Sequence, residues 1–255
     1  MLPMAVIPMN DPNGIYFSHL KAIDPSMKQL FSRIFISIPH ETQKSQSAFI
    51  EWVKRDDFYD VVYHEQDLSI GEDFLTLYSH AASACAPAQI LHLCFMDRMA
   101  YTLQSEHREV IMADILSAGQ DSTPLIFQRS DLAWQTHPKN YQEIEGMLTL
   151  AGNWLFGKSL DFAWCHMVIQ AGQLQQVISK VKRRDISFFA EMVLNIKDDV
   201  ETKDVDWLSW EDPFIYSDDP LELKRAREQS LDETHKRLAY VIPMLKLMYE
   251  YNANG

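Results

Sequence analysis

The stretch Gln89-Ile90-Leu91-His92-Leu93-Cys94-Phe95-Met96-Asp97-Arg98-Met99 decides how the rest of the chain is read. From Ile90 to Met96 every residue except His92 is apolar, which fits a strand covered on both faces. Asp97 then stands at the carboxyl end of that strand. A carboxylate there is costly to bury unless it is paired, hydrogen-bonded or metal-bound. Asp97 is therefore the first candidate for a metal or phosphate site, and capping the next turn or pairing with Arg98 is the alternative. Arg98 could itself neutralise a diphosphate through paired hydrogen bonds, partly doing the work of a divalent ion. A salt bridge to Asp97 is its other reading.

Upstream, three more strands are expected. Ala5-Val6-Ile7 is stopped by Pro8 and followed by the turn residues Asn10–Gly14; Ile34–Ile38 is stopped by Pro39; Val61-Val62-Tyr63 is the third. Between them, residues 15–31 carry mixed apolar spacing around Pro25, and Phe49, Trp52 and Val53 suggest one helical face. Ser69 and Glu72 have capping-box spacing ahead of Ile70, Phe74, Leu77, Tyr78, Ala81, Ala82 and Cys85, an amphipathic helix. Strands separated by helical crossovers make a mainly parallel sheet with helices on both faces, an α/β fold. In such sheets ligands sit outside the carboxyl ends of the strands. Pro8–Asn10, Pro39–Glu41, His64–Asp67 and Asp97-Arg98 fall there.

Downstream, Leu125-Ile126-Phe127 is a strand leading to Arg129, Trp134, His137 and Lys139. This locally basic, aromatic stretch suits an anionic ligand or is a plain surface loop. Tyr141, Ile144, Leu148, Ala151 and Leu155 mark a helix, Leu160–Trp164 a strand, and Leu174, Val177, Ile178 and Val181 another helix. Asp185 can cap a helix that buries Phe188, Phe189 and Met192. Val205–Trp210 is strand-like and ends in Glu211-Asp212-Pro213. Acids framed by Trp210 and Phe214 suit a sugar, and apolar surroundings would raise one of them into the range of a general base. A turn with a solvated acid pair is the alternative. From Pro220 a long helix, bent at Pro243, places Leu231, Leu238, Val241, Leu245 and Met248 on one stripe. Apolar surface left on it could support a homodimer.

Composition bounds the function. The chain has 255 residues, with 23 Lys and Arg against 36 Asp and Glu, a formal net charge of −13. That balance argues against nucleic acid or an anionic membrane as the main partner. No apolar run approaches the ~20 residues that span a bilayer, and Met1–Pro8 lacks the basic flank of a signal peptide. Cys85, Cys94 and Cys165 read as reduced thiols of a cytoplasmic protein. No GxGxxG, GxxxxGKS, HxH, HExxH or GxSxG is present. His92, inside a strand, reads as a core residue.

Taken in order, these strand ends resemble the family-two group of nucleotide-sugar-dependent glycosyltransferases with the GT-A fold. Ala5–Asn10 is similar to that group's opening strand, and Ile36–Glu41 to its second strand with a base-contacting acidic end. Gly71 followed by Ala81 is similar to the glycine-then-alanine stretch before the metal strand, and Asp97 falls on the first acid of its DxD. Arg129-Ser130, Trp134, Pro138, Glu145, Leu155-Phe156-Gly157 and Asp161 resemble a pattern of some members. The resemblance implies a Rossmann-like GT-A domain over 1–215 (nucleotide-binding half 1–100, acceptor half 101–215), with 216–255 a helical appendage. It implies nucleotide contacts from Pro8, Asn10, His40, Glu41, Asp97 and Arg98, and acceptor or phosphate contacts from Arg129, Trp134, His137 and Asp161. Glu211 and Asp212 would be catalytic, with Asp97 on Mg²⁺ or Mn²⁺. Met99 replaces the second DxD acid and has no hard oxygen, so dependence on metal should be weaker. The activity implied is transfer of a sugar from a nucleoside diphosphate to a hydroxyl on a small molecule or glycan. A non-catalytic nucleotide-sugar-binding or scaffold protein remains open, as does a nucleotidyltransferase, although Met9–Gly14 contains no Lys or Arg.

Overall fold

The computed structural model describes residues 2–66, 68–118 and 123–253; Asp67, one of the expected strand-end residues, lies outside them. The elements run β1 (Met4–Pro8), α1 (Ile15–Leu30), β2 (Ile34–Ile38), α2 (His40–Ser45), α3 (Ser47–Val53), β3 (Tyr59–Tyr63), α4 (Ile70–Ala84) and β4 (Ile90–Cys94). Then come α5 (Met96–Leu103), α6 (Arg108–Ala118), β5 (Leu125–Arg129), α7 (Asp131–Thr136), α8 (Lys139–Phe156), β6 (His166–Gln170), α9 (Ala171–Lys180) and α10 (Phe188–Ile196). The chain ends with β7 (Glu201–Val205), a 3-10 turn (Asp206–Leu208), α11 (Asp212–Tyr216), α12 (Pro220–Gln229) and α13 (Leu231–Ala253).

One sheet has the order β3-β2-β1-β4-β6-β5-β7. β1 pairs in parallel with β2 and β4, β2 with β3, and β5 with β7, whereas β6 runs antiparallel between β4 and β5. The expected α/β architecture is present. Alternation along each strand sends neighbours to opposite faces. Val6, Phe35, Leu91 and Leu93 join the layer under α4, α8, α9, α10 and α13. Ala5, Ile7, Ile34 and Ile36 join the layer under α1, α3, α5 and α6.

Four expectations change. The strand carrying Asp97 stops at Cys94, and Asp97 lies in the first turn of α5. Met96, Met99, Ala100 and Leu103 bury one face at helical spacing, which turns the chain out of the sheet. Leu160–Trp164 is not a strand: Asp161 Oδ1 accepts from Ala163 N in a turn, and the strand is His166–Gln170. Val205–Trp210 contains only the last residue of β7, an edge strand whose Glu201–Asp204 are exposed and so carry no apolar pattern. The C-terminal segment is two helices broken at Ser230, and Leu231, 73% exposed, is off the stripe. The buried face of α13 is Val241, Met244, Leu247 and Met248, each worth roughly 1.5–3 kcal/mol when fully buried. Among the described residues no helix is long and apolar enough to cross a membrane.

Candidate functional site

The carboxyl ends of β1 and β4 open into two cavities that share Phe95 and Asp97. The smaller, about 200 Å³, is lined by Pro8, Asn10, Tyr16, Asp73 and Asp97 among others. The larger, about 310 Å³, has Asp97, Arg98, Arg129, Glu145, Glu211, Asp212 and Arg237 on its polar side. A cleft lined by both charged and apolar groups thus continues from β1 toward α13.

The smaller cavity is shaped by turns. Asp11 is buried and its two carboxylate oxygens accept from Ile15 N and Phe17 N, starting α1. Thr42 Oγ1 accepts from Asp11 N and donates to Asn10 Oδ1, fixing Asn10 over the strand end. His40 is half-buried and Glu41 exposed at the start of α2, and neither lines the cavity. Asp73 does line it, with Oδ1 2.7 Å from His64 Nε2. Asp73 sits there because α4 begins against the segment before α10. Ser69 and Glu72 form the expected capping box, and Gly71 N donates to Arg184 O. A Cβ on Gly71 would lie 2.5 Å from the Arg184 carbonyl, so only glycine allows this approach.

The larger cavity is built around two Arg–Glu clusters. Thr102 Oγ1 donates to Arg98 O and Trp207 O, tying α5 to the 3-10 turn. Trp207 Nε1 donates to Asp114 Oδ2, and Trp210 N to Thr136 Oγ1. These bonds carry Glu211 onto Arg98, which is ion-paired with it and donates to Ser209 O. Burial raises the Glu211 carboxyl, Arg98 pulls it back, and Asp97 and Asp212 raise it again, leaving it at about 8. Burial also raises Asp212, whose carboxylate lies 3.4 Å from Arg227.

In the second cluster Glu145 accepts from Arg129 and Arg237, each at 2.9 Å. Burial pushes Glu145 up, but Arg129, Arg237 and Arg98 together hold it below the usual carboxylate range. Asp161, 4.0 Å from Arg129, is raised by burial despite that arginine. Trp134 stacks its ring 4.3 Å from the Arg129 guanidinium. His137 is buried and Nδ1 meets Ala133 O, so it closes α7 and does not line this cleft. Burial, then Arg129 and Arg98, keep its ring well below the usual histidine value.

Asp97, Arg98, Arg129, Glu211 and Asp212 are therefore together, with Asp161 and Trp134 behind Arg129 and Pro8 and Asn10 in the adjoining cavity. Asp73 and Arg237 were not among the expected site residues. Both carry a readable signal: Asp73 falls one turn before Leu77, and Arg237 one turn before Val241, on otherwise apolar helix faces. A charge on a buried stripe needs a partner, and each has one.

The fit of a hard divalent ion is poor. Asp97 Oδ1 accepts from Arg98 N, Met99 is fully buried without an oxygen, and Glu211 is paired with Arg98. Among the described residues, His92, Cys94 and His166 are the group whose ligand atoms all lie within 4.8 Å of one another. These nitrogen and sulfur donors suit zinc or copper better than magnesium or manganese. They are buried beside Phe127 and Trp207, with His92 Nε2 3.0 Å from His166 Nδ1. Burial takes His92 down to about 3, lowers His166 and raises the Cys94 thiol, so both rings are uncharged and the thiol keeps its proton.

No protein-family model matches the sequence, and no curated protein matches it. Solved structures do. Glucosyl-3-phosphoglycerate synthase from Mycobacterium tuberculosis, solved with Mn²⁺, UDP-glucose and phosphoglyceric acid, superposes with a TM-score of 0.55 at 12% identity. That superposition covers 97% of this chain and 79% of the synthase. A second structure of the synthase with Mn²⁺, UDP-glucose and phosphoglyceric acid gives 0.52 at 12% identity over 96% and 80%. A mycobacterial protein gives 0.54 at 12% identity over 94% and 74%. At such identity the likeness establishes architecture alone: this chain shares a GT-A-like fold with that synthase.

Proposed function

We propose that the protein transfers a sugar from a nucleoside diphosphate donor to a hydroxyl group. The observation that carries this reading is Asp97, shared by two cavities at the β1 and β4 strand ends, with the buried Glu211 beside Arg98. The donor side falls within residues 1–100, where Pro8, Asn10 and Asp97 line the smaller cavity and Asp73 stands where a base or ribose donor would need an acceptor. The acceptor side falls within 101–215 and is completed by α13 from the 216–255 segment. In the transfer, an acceptor oxygen lone pair forms the new bond to the sugar's anomeric carbon. The bond from that carbon to the diphosphate oxygen breaks, its electrons leaving with the diphosphate, and the hydroxyl proton passes to Glu211. A carboxyl near 8 is matched to that task. Arg98 positions Glu211 and supplies positive charge beside Asp97. Its ion pair makes it a brace first and a diphosphate contact only if Glu211 yields.

UDP-glucose, present in two of the similar structures, is the first donor to test. The three free thiols suit a reducing compartment such as the cytoplasm. A non-catalytic sugar-nucleotide-binding protein is the second reading, favoured by Met99 in place of a second acid and by Glu211 closed onto Arg98. Calorimetry with UDP-, GDP- and CDP-sugars, with and without Mn²⁺, tests both. The expected result is saturable binding of one nucleotide class, little changed by Mn²⁺ and lost in a folded Asp97→Ala protein. Absence of binding to every sugar nucleotide would sink both readings, and binding without turnover on any acceptor would select the second.

A further inference from the structure

The larger cavity contains three arginines, as an anion site would, yet each is already engaged. Arg98 is paired with Glu211, Arg129 with Glu145 and Asp161, and Arg237 with Glu145. On the lining itself four carboxyls, of Asp97, Glu145, Glu211 and Asp212, stand against these three guanidiniums. A phosphate or carboxylate entering here would have to displace a buried acid from its arginine and would meet Asp97 and Asp212 besides. Stripping one partner from a buried ion pair leaves an uncompensated charge, which is strongly unfavourable. Glu145, held ionised by the arginines around it, cannot escape that cost by taking up a proton.

The rest of the lining has different chemistry. Ile186, from the end of the segment before α10, Phe189 of α10, and Val241 and Met244 of α13 line the same cavity, where α10 packs against α13. Tyr240, 44% exposed, stands at its edge. A space of about 310 Å³ is at the small end for a ligand pocket and suits one ring or a short chain.

We propose that this cavity takes an uncharged hydroxyl compound with an apolar body, the body lying against α10 and α13 and the hydroxyl directed to Glu211. The proposal rests on the glycosyl-transfer reading and narrows its acceptor. It separates this protein from the similar synthase, whose structures hold phosphoglyceric acid. The compound is recognised by shape and burial on one side and by a single proton acceptor on the other.

The test is titration of the full chain with 2-phenylethanol and, separately, with phosphoglyceric acid, followed by calorimetry and protein-observed NMR. Saturable binding of 2-phenylethanol is expected, at least about tenfold tighter than phosphoglyceric acid. Met244→Lys should weaken 2-phenylethanol by about the same factor, because the charged head would be placed against its apolar body. Tyr240→Glu, at an exposed position where folding is safe, should weaken it severalfold. Phosphoglyceric acid binding as tightly as 2-phenylethanol would overturn the proposal. So would 2-phenylethanol that fails to saturate, or that binds both variants as it binds the parent. UDP titrated into the same samples reads the glycosyl-transfer proposal independently. Loss of UDP binding sinks that reading, whereas an acceptor result of the wrong sign with UDP binding intact sinks only this one.

Discussion

Glu145 and Glu211 are buried in one cleft and each meets an arginine, yet their surroundings push them in opposite directions. Glu145 is shared by Arg129 and Arg237, with Arg98 beyond, and the sum of three positive charges outweighs its burial. Glu211 is ion-paired with Arg98, with Arg129 farther off, and two further carboxyls, Asp97 and Asp212, push it up. The first is a fixed anion that ties α8 to α13 and β5. The second is a carboxyl poised to exchange a proton at neutral pH. Burial and an ion pair do not by themselves tell a structural acid from a chemical one; the count of cations around each does.

The largest expected effect separates the two by turnover. Glu211→Gln should lower sugar transfer on the order of 10²–10⁴-fold, the usual worth of a positioned general base. It should not lower thermal stability, since the amide resembles the protonated acid that the site already favours. Steady-state rates and a melting curve on the same preparation check both halves. Glu145→Gln should do the reverse, because it leaves the buried Arg129 and the half-buried Arg237 without their shared counter-charge. A loss of about 3–5 kcal/mol in chemical denaturation is expected. A Glu145→Gln protein as stable as the parent would remove the basis of the comparison.

The pH dependences have opposite signs. Glu211 must be deprotonated to accept a proton, so turnover should climb as pH rises and level off above about 8. Its folded value is raised, so the folded state keeps a proton that the unfolded chain releases. Glu211 therefore costs stability increasingly as pH rises from the ordinary carboxylate range to about 8. The stability gap between Glu211→Gln and the parent should widen in favour of the variant across that window. Glu145 is lowered, and so contributes stability that is present above the ordinary carboxylate value and lost as pH falls through its folded value. Glu233, held at about 2 against burial by Lys236, Tyr141 and Arg227, adds to the same acid loss. Melting temperatures measured from pH 3 to 9 in the parent and both variants would show whether the two slopes are there.

Much of this was legible in the chain. β1, β2 and β4 are apolar runs, interrupted only by Ser37 and His92 and ended by Pro8, Pro39 or a turn into helix, and buried parallel strands leave that trace. The capping box of α4 stood in Ser69 and Glu72. What failed to show has local causes. β7 is an edge strand whose exposed Glu201–Asp204 look like a loop, and β6 is five residues long and crowded between Trp164 and α9. Asp97 was placed one element too early because Phe95-Met96 extends the apolar run past the point where Met96 and Met99 begin a helical period. In the cleft, Glu211 and Arg98 were visible as residues but their pairing was not, since it joins positions brought together only by the turn at Asp206–Leu208. Arg237 was hidden in a helix read for its apolar stripe alone.

The smallest expected effect asks whether the burial that raises Glu211 depends on a closed loop. α11 follows Glu211 directly, and its last residue, Tyr216, lies 3.2 Å by hydroxyl from Tyr16 on α1, with Phe214 against Tyr101 and His19. Tyr16 also lines the smaller cavity, so this contact bridges the cleft between its two sides. Tyr216→Phe removes one exposed hydrogen bond, worth about 0.5–1.5 kcal/mol, while keeping the ring. Less than about a tenfold fall in turnover is therefore expected. The informative quantity is the pH midpoint. Desolvation is the largest influence on Glu211, so a loop that opens more often admits water and lets the carboxyl fall from about 8 toward its ordinary value. The Tyr216→Phe rate profile should shift to lower pH, with Glu145-linked acid stability unmoved. A profile that keeps its midpoint would mean that Trp207, Trp210 and Arg98 alone bury Glu211, and that the loop is a cover over the donor rather than part of the acid's environment.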